Sequence, residues 1–254
     1  MLRCVRLALS VPGRVLCRDV SVDFEPGQAW AVLGRNGTGK STLIHVLAGL
    51  AAPAEGVVEL GGSAVQAQPA RARARALGVL LQIEHGTYWG SVGEYVLLGR
   101  FPHTRGWAGY SREDMDQAGA ALDAVGMAGA IGQKFTTLSG GERQRVRIAQ
   151  ILAQNPQVFL LDEPLQHLDL AHQALVLGLI GARVRARRET AVMVLHEPLW
   201  IGRCCTHALI LNGDGSTAAG SADQILTRER LEHAYGCRLR EVGHGDGRSF
   251  VPDV

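Results

Sequence analysis

Runs of apolar residues alternate with helical patterns over most of the chain. Apolar runs typical of buried strands cover residues 29–33, 77–82, 157–161 and 190–195. Apolar residues at helical spacing predict helices over residues 40–50 and 170–187. Because buried strands that alternate with helices usually form a parallel sheet, we predict an α/β core with a mainly parallel sheet.

Two further patterns predict the organisation around this core. Short strand-like runs at residues 5–10, 21–24 and 57–60, with turns at Pro12-Gly13 and Gly61-Gly62, indicate a small antiparallel β portion. Residues 88–133 lack strand-like runs and favour an inserted helical lobe. We therefore expect a single domain over residues 1–254, with a core at 1–87 and 134–235 and a C-terminal tail at 236–254. The polar, Gly-rich stretch 243–248 is expected to be mobile.

Composition excludes several classes of protein. The chain has 254 residues, 46% of them hydrophobic, and a formal net charge of +2, which argues against a disordered acidic chain or a strongly basic nucleic-acid binder. Its five cysteines form no C-x-x-C pair, so a disulfide framework or zinc site is not expected. The N-terminus resembles no signal peptide, and the longest weakly polar run is too short to span a bilayer. We expect a cytoplasmic chain that does not itself cross a membrane.

A glycine-rich segment between the first predicted buried strand and the next helix matches G-x-x-x-x-G-K-[ST]. In such a loop the backbone N–H groups face one anion, and the N-terminal end of the following helix adds positive potential. Lys40 would reach the β- and γ-phosphates, and the Ser41 hydroxyl would ligate Mg²⁺. A chance glycine-rich turn is disfavoured by the strand before it and the helix after it. The predicted nucleotide-binding residues are Gly34, Arg35, Asn36, Gly37, Thr38, Gly39, Lys40, Ser41 and Thr42.

Two carboxylates, Asp162 and Glu163, follow the apolar run 157–161. A carboxylate at the C-terminal end of a strand beside a phosphate loop can hold Mg²⁺, which we predict for Asp162. The next carboxylate, Glu163, can act as general base for water that attacks the γ-phosphate. A surface Asp-Glu pair would be the better interpretation if the phosphate loop were absent.

The segment 138–144 reads Leu-Ser-Gly-Gly-Glu-Arg-Gln. Ser139 and Glu142 have the spacing of a capping box that opens a helix. Gly140 and Gly141, just inside this start, expose backbone N–H groups and so form a second candidate anion site. A monomer with one phosphate loop does not need a second site, whereas two chains arranged head to tail would each place theirs on the partner's nucleotide.

These segments, in this order and spacing, resemble the ATP-binding cassette (ABC) ATPases over about residues 1–235. The resemblance implies an ATPase that uses ATP and Mg²⁺ and works as a homodimer with ATP at the interface. It also implies a location on the cytoplasmic face of the inner membrane, as a peripheral subunit. The implied partners are separate integral-membrane permease subunits and, indirectly, a periplasmic substrate-binding protein, with no nucleic acid.

The same resemblance gives roles to residues that would otherwise be interpreted as structural. Gln82 matches the family glutamine that touches Mg²⁺ or the attacking water, and His196 matches the histidine that contacts the γ-phosphate. Residues 167–169, His-Leu-Asp, resemble the loop that crosses the dimer interface. The chain departs from the family at Glu197, where Asp is frequent, and at residues 10–14, which lack the aromatic that often stacks on adenine.

Short segments point to a class of transporter. Residues 99–103, Gly-Arg-Phe-Pro-His, and 163–169 resemble importers of iron–siderophores, haem and vitamin B12, with a lean toward vitamin B12. The alternative is an ABC ATPase without a transporter, such as an iron–sulfur assembly ATPase. In the predicted lobe, Phe101 and Trp107 are candidates either for its core or for contact with the permease. The arginines of Arg-Ala-Arg-Ala-Arg at 71–75 are expected on a solvated helix surface.

Overall fold

The computed structural model of the chain describes residues 1–82, 88–104, 109–196, 198–244 and 247–253. In chain order its strands are β1 (Leu2–Val11), β2 (Arg14–Phe24), β3 (Ala29–Leu33), β4 (Glu55–Leu60), β5 (Ser63–Ala64), β6 (Leu77–Leu80), β7 (Val158–Asp162), β8 (Thr190–Val194), β9 (His207–Leu211), β10 (Thr217–Ser221), β11 (Leu239–His244) and β12 (Gly247–Pro252). Its helices are α1 (Lys40–Leu47), α2 (Ala70–Ala76), α3 (Val92–Leu97), α4 (Arg112–Ala124), α5 (Gly140–Gln154), α6 (Leu170–Arg187), α7 (Pro198–Cys204), α8 (Ala222–Ile225) and α9 (Arg228–Tyr235). Within these ranges, no helix is long and apolar enough to span a bilayer.

The predicted parallel sheet forms the centre of the fold. Its strand order is β10-β9-β3-β8-β7-β6, and every neighbouring pair is parallel except β10 with β9 at one edge. The strands β3, β8 and β7 are neighbours that run in one direction, so the residues that follow them meet at the same edge of the sheet. In sheets of this kind, ligands bind at that carboxyl edge.

Both faces of the central strands β3, β7 and β8 are covered, which explains why they are buried throughout and consist almost entirely of apolar residues. In β3, Ala29, Ala31 and Leu33 belong to one buried cluster, which the helices α5 and α6 complete. Trp30 and Val32 belong to the other, which includes α1 and the antiparallel sheet β2-β1-β4-β5. Strands buried on both faces read as continuous hydrophobic runs rather than as an alternating pattern. The predicted antiparallel portion is therefore confirmed as the second layer.

A buried arginine, Arg100, connects the helical lobe to α5. Arg100 lies in a 3-10 turn (Leu98–His103) that follows α3. Its Nε donates to Asp114 Oδ1 at 2.9 Å, and its Nη1 donates to the Ala153 carbonyl at 2.9 Å. A Cβ on Gly99 would lie 2.2 Å from the Gln150 carbonyl oxygen, so only glycine lets the turn pass this close to α5. The segment 99–103 thus has a structural role that its resemblance to importers did not reveal.

The arginines of α2 do more than cover a solvated surface. Arg71 Nε donates to the Pro102 carbonyl at 2.9 Å, and Arg75 Nε donates to the same oxygen at 2.8 Å. Arg73 donates to the Val65 carbonyl at 3.3 Å. Arg71 and Arg75 remain exposed, as expected, but they also attach α2 to the lobe, which the alternation with alanine did not indicate.

The C-terminal region forms a β-hairpin. Strands β11 and β12 pair antiparallel, with Gly243 opposite Arg248, and Leu239 and Phe250 are buried in the main core. The described residues of the stretch 243–248, which the sequence did not predict as strand, lie where β11 ends and β12 begins. Glycine and polar side chains hid the strand pattern, because one face of a two-stranded hairpin needs no apolar residues.

Candidate active site

The glycine-rich loop between β3 and α1 is shaped by its own backbone and by its neighbours. Gly34 has φ +141°, and a Cβ there would lie 2.4 Å from the Leu211 carbonyl oxygen at the end of β9. Thr38 is buried, and its hydroxyl donates to the Arg35 carbonyl at 2.9 Å. Gly39, with φ +103°, precedes α1 and leaves no room for a side chain beside Leu16. The loop therefore holds the curled conformation that anion-binding backbone amides require.

Lys40 is the first residue of α1, and only 6% of it is exposed. Its Nζ donates to the Gly34 carbonyl at 2.8 Å and to the Arg35 carbonyl at 2.9 Å, which directs the ammonium group across the loop. Burial lowers the pKa of Lys40, while the nearby Glu163 and Asp162 carboxylates oppose that shift. The ammonium group is thus held beside the position where the loop amides would bind phosphate.

Asp162, the last residue of β7, is the most unusual polar group in the site. It is 1% exposed, and neither carboxylate oxygen has a hydrogen-bond partner among the described residues. Burial raises the pKa of Asp162; the Ser41 hydroxyl is near enough to lower it, although the two groups form no hydrogen bond of normal geometry. A buried carboxylate without a partner is costly unless a cation compensates it. Hydroxyl and carboxylate oxygens are the ligands that Mg²⁺ prefers, so Ser41 and Asp162 fit this ion.

Glu163 and His196 are brought together from the ends of two neighbouring strands, β7 and β8. His196 Nε2 lies 2.9 Å from Glu163 Oε1, and both side chains are partly open to solvent. Glu163 has φ +52°, a left-handed conformation that few side chains adopt and that turns the chain sharply after β7. Strained backbone of this kind is concentrated at functional sites.

A single cavity of about 620 Å³ unites most of the predicted site. Its lining residues are Val11, Arg14, Leu16, Asn36, Gly37, Gly39, Lys40, Ser41, Thr42, Gln82, Glu163 and His196. Gln82 and His196, which only the family resemblance had singled out, thus face the same space as the phosphate loop. Gly34, Arg35 and Thr38 do not line the cavity; they shape the loop from behind.

Ser139, Gly140 and Gly141 do not line this cavity. They form the N-terminus of α5 as the predicted capping box: the Glu142 amide donates to Ser139 Oγ at 3.3 Å, and the Ser139 amide donates to Glu142 Oε2 at 2.9 Å. A Cβ on Gly141 would lie 2.8 Å from the His167 carbonyl oxygen, so this glycine also makes room for the loop 167–169. Within one chain, the second candidate anion site is separate from the first.

Sequence reasoning missed two residues of α5, Gln144 and Arg147, that contact the turn after β7 and the segment before Gln82. Gln144 is buried, and its Nε2 donates to the carbonyls of Pro164 at 3.0 Å and Glu163 at 3.3 Å. Arg147 donates to Gln144 Oε1 at 3.0 Å and also to the Leu81 carbonyl, next to Gln82. Gln144 and Arg147 lie on the buried face of α5 beside apolar residues such as Ile148. Polar residues on an otherwise apolar helix face are rarely buried without a partner, and this was the sequence signal that could have identified them.

A protein-family model described as ABC transporter matches residues 17–166, more than half of the chain. The chain belongs to the ABC transporter family. It is an ABC ATPase, which hydrolyses ATP to drive transport. The family resemblance deduced from the sequence is confirmed.

Relatives of this ABC ATPase extend over nearly its whole length. It is 36% identical to the hemin import ATP-binding protein HmuV of Burkholderia ambifaria, over 97% of each chain. It is 38% identical to HmuV of Gloeobacter violaceus, over 96% of this chain and 90% of the relative. It is 36% identical to the ferric enterobactin transport ATP-binding protein FepC of Escherichia coli, over 93% and 88% of the two chains.

Solved structures agree with the fold. A transporter described as being of the metal-chelate type, in an inward-facing conformation, contains a chain that is 29% identical, with a TM-score of 0.85 over 100% of this ABC ATPase and 97% of that chain. The dimeric structure of the bacterial ABC transporter cassette MJ0796 has a TM-score of 0.78 at 24% identity, over 87% and 98% of the chains. The predicted α/β fold with a mainly parallel sheet, an antiparallel portion and a helical lobe is confirmed.

Proposed function

We propose that this ABC ATPase binds Mg²⁺-ATP in the cavity above the phosphate loop and hydrolyses it with Glu163 as general base. The observation that carries this proposal is the convergence of Lys40, Glu163 and His196 on one cavity, with Glu163 and His196 2.9 Å apart. Lys40 and the loop amides bind the phosphates. Glu163 accepts a proton from the water that attacks the γ-phosphorus, and His196 orients that carboxylate and contacts the γ-phosphate.

Ser41, Asp162 and Gln82 are the residues that would hold Mg²⁺ in this proposal. The unpartnered carboxylate of Asp162 supports it, since a cation would compensate that buried charge. The ion, when bound, neutralises charge that develops on the phosphate oxygens. Through this ion, Ser41 of α1 and Asp162 of β7 would both be connected to the bound nucleotide.

The complete site requires a second copy of this chain. The N-terminus of α5, where Ser139 and Gly140 are exposed and Gly141 is half-buried, lies outside the cavity of its own chain. A head-to-tail homodimer would set this helix N-terminus on the partner's γ-phosphate. The loop 167–169 packs against this N-terminus and would cross the interface with it.

We further propose a metal chelate as cargo: haem, an iron–siderophore or vitamin B12. The names of the HmuV and FepC relatives support the first two, and the segments 99–103 and 163–169 are the sequence features that suggested the group. Separate permease subunits would contact the helical lobe, where Phe101 is 67% exposed. Trp107, the other aromatic proposed for this contact, lies outside the described residues. The ATPase would act at the cytoplasmic face of the inner membrane, with a periplasmic binding protein delivering the cargo.

Uptake measurements in the organism that encodes this chain would test the cargo and the coupling. Deletion of the gene should abolish uptake of one of three labelled chelates: haemin, ferric enterobactin or cobalamin. A gene copy with Arg18→Ala, an exposed residue outside the cavity, should restore uptake, and a copy with Lys40→Ala should not. Normal uptake of all three chelates in the deletion strain, with reduced activity of iron–sulfur enzymes, would instead favour an assembly ATPase.

A further inference from the structure

The last helix of the fold, α9, ends behind the phosphate loop. Gly236 closes this helix in a left-handed conformation, with φ +67°, and its amide donates to the Glu232 carbonyl at 2.8 Å. A Cβ on Gly236 would lie 3.2 Å from Nη1 of Arg35, the second residue of the loop. Neither Arg35 nor Gly236 lines the nucleotide cavity, so α9 meets the loop on the side away from that cavity.

Tyr235, the last residue of α9, carries a buried hydroxyl at this contact. Its oxygen is shielded from solvent and has no hydrogen-bond partner among the described residues. Burial raises the pKa of Tyr235 to about 12; the Gly34 amide is near enough to oppose that shift, although the two groups form no hydrogen bond of normal geometry. Because a buried hydroxyl without a partner costs free energy, this oxygen does not stabilise the free chain.

Gly34 is the residue of the loop that connects this hydroxyl to the phosphate-binding lysine. The Gly34 carbonyl accepts a hydrogen bond from Lys40 Nζ at 2.8 Å, and the Gly34 amide is the group beside the Tyr235 hydroxyl. A Cβ on Gly34 would lie 2.4 Å from the Leu211 carbonyl oxygen, so the residue is confined from a second side. A reorientation of Gly34 therefore affects the Lys40 ammonium and the contact with Tyr235 together.

The helix α9 is attached firmly enough to hold Tyr235 against the loop. Leu231 and Ala234 are buried in the main core. Glu232 Oε1 accepts a hydrogen bond from the Leu239 amide at 2.7 Å, which connects α9 to β11. Tyr235 also lines a mainly apolar cavity of about 280 Å³, which leaves its ring room to adjust. The hydroxyl thus extends from a fixed helix but can follow a small change in the loop.

We propose that Tyr235 is a positioning residue of the nucleotide site, whose hydroxyl accepts a hydrogen bond from the Gly34 amide when phosphate fills the loop. This inference rests on the proposed nucleotide site. Bound phosphate attracts the Lys40 ammonium away from the Gly34 carbonyl, and the freed peptide group reorients and completes the hydrogen bond to Tyr235. The hydroxyl gains its partner only in the bound state, so it favours nucleotide binding without stabilising the free chain.

Tyr235→Phe removes only the hydroxyl and tests this role in the whole chain. Isothermal titration calorimetry should show that Mg²⁺-ATP and Mg²⁺-tripolyphosphate, which has no base or ribose, both bind about three- to tenfold more weakly, since one neutral hydrogen bond is lost from the bound state. Urea unfolding without a ligand should give a midpoint that is unchanged or higher. In ATPase assays, KM for ATP should rise by the same factor and kcat should stay at the native value, because Glu163 and His196 are untouched.

Two control variants separate this role from the proposed site itself. Tyr110→Phe removes the hydroxyl of a half-buried tyrosine in the helical lobe and should leave both affinities unchanged. Lys40→Ala should weaken both ligands; if it weakened neither, the proposed phosphate site would fail independently of Tyr235. The role of Tyr235 is overturned if Tyr235→Phe binds both ligands with native affinity or weakens ATP alone. A lower urea midpoint would also overturn it, because the hydroxyl would then have a stabilising partner in the free chain.

Discussion

Asp162 illustrates, at the scale of a single residue, how the site is built at the expense of stability. Its carboxylate is buried at the end of β7 without a hydrogen-bond partner among the described residues. An apolar side chain would stabilise the empty fold at this position, since burial disfavours the charged form. In the proposed site, this charge is useful only when nucleotide and cation are bound. Trade-offs of this kind between stability and activity are common at active sites.

This account predicts opposite effects of Asp162→Asn on stability and on activity. Without nucleotide, the variant should be more stable at neutral pH by about 1 kcal/mol, because a buried charge is removed. Since the folded-state pKa of Asp162 is raised, the native chain loses stability as pH rises through that pKa, and the advantage of the variant should shrink in acid. Mg²⁺-dependent ATP hydrolysis should be lost.

Urea unfolding between pH 5 and pH 8, together with an ATPase assay, would check both effects. The exposed Asp116→Asn is the matched control and should change neither stability nor activity. A less stable Asp162→Asn protein would show that the carboxylate has a stabilising partner within the chain.

At the scale of elements, α5 is the connection between the parts of the site. Its N-terminus carries Ser139. On its buried face, Gln144 donates to the turn after β7, and Arg147 donates both to Gln144 and to the Leu81 carbonyl next to Gln82. Its C-terminal half receives Arg100 of the helical lobe. A movement of the lobe would therefore reach the turn at Glu163 through one helix. Asp114, at the start of α4, accepts a hydrogen bond from Arg100 and so holds this arginine within the lobe.

Asp114→Asn should destabilise the chain in a pH-dependent way. Hydrogen bonds from Ser111 and Arg100 outweigh burial and lower the pKa of Asp114 to about 2. The ionised group therefore contributes stability that is fully present above its unfolded-state pKa and is lost as pH falls toward 2. We expect a loss of about 2–4 kcal/mol at pH 7, since the buried Arg100 is left without its partner.

Urea midpoints of the native chain and Asp114→Asn, measured from pH 7 down to pH 3, would show this dependence. The difference should stay constant down to about pH 4 and then decrease. A difference that does not change with pH would mean that lost packing, and not lost charge, causes the destabilisation.

Elements that a short, continuous sequence pattern specifies could be predicted from the sequence. Lys40 and Ser41 follow a glycine-rich pattern that needs a strand and a helix around it, and the structure has both. Contacts between distant segments carried no such signal: Arg71 bonds to Pro102, and Gln144 bonds to Pro164, because of tertiary packing alone. The C-terminal hairpin was missed for the same reason, since its strands are specified by burial of a few residues such as Phe250.

At the scale of the whole molecule, the proposed assembly divides each site between two chains. A mixture of two inactive variants tests this directly. Ser139→Arg should block closure on the partner's γ-phosphate but leave ATP binding by the monomer intact, and Lys40→Ala should lose ATP binding. A heterodimer of the two has one complete site, formed by Lys40 of one chain and Ser139 of the other.

The mixture should therefore hydrolyse ATP although each variant alone does not. Radiometric ATPase assays of the separate and mixed proteins would measure this recovery. Loss of ATP binding by isolated Ser139→Arg monomers would contradict the head-to-tail arrangement, because Ser139 would then belong to the site of its own chain.

The most direct test of the central claim is the rate of phosphate release from Mg²⁺-ATP by the native chain and by Glu163→Gln. The substitution keeps the size of the side chain but removes the base, so turnover should fall about 10²–10⁴-fold while ATP binding persists through Lys40 and the loop amides. Glu113→Gln, an exposed residue of α4, is the control and should hydrolyse ATP at the native rate. Native turnover by Glu163→Gln would contradict the account, because Glu163 would then have no part in the hydrolysis of ATP.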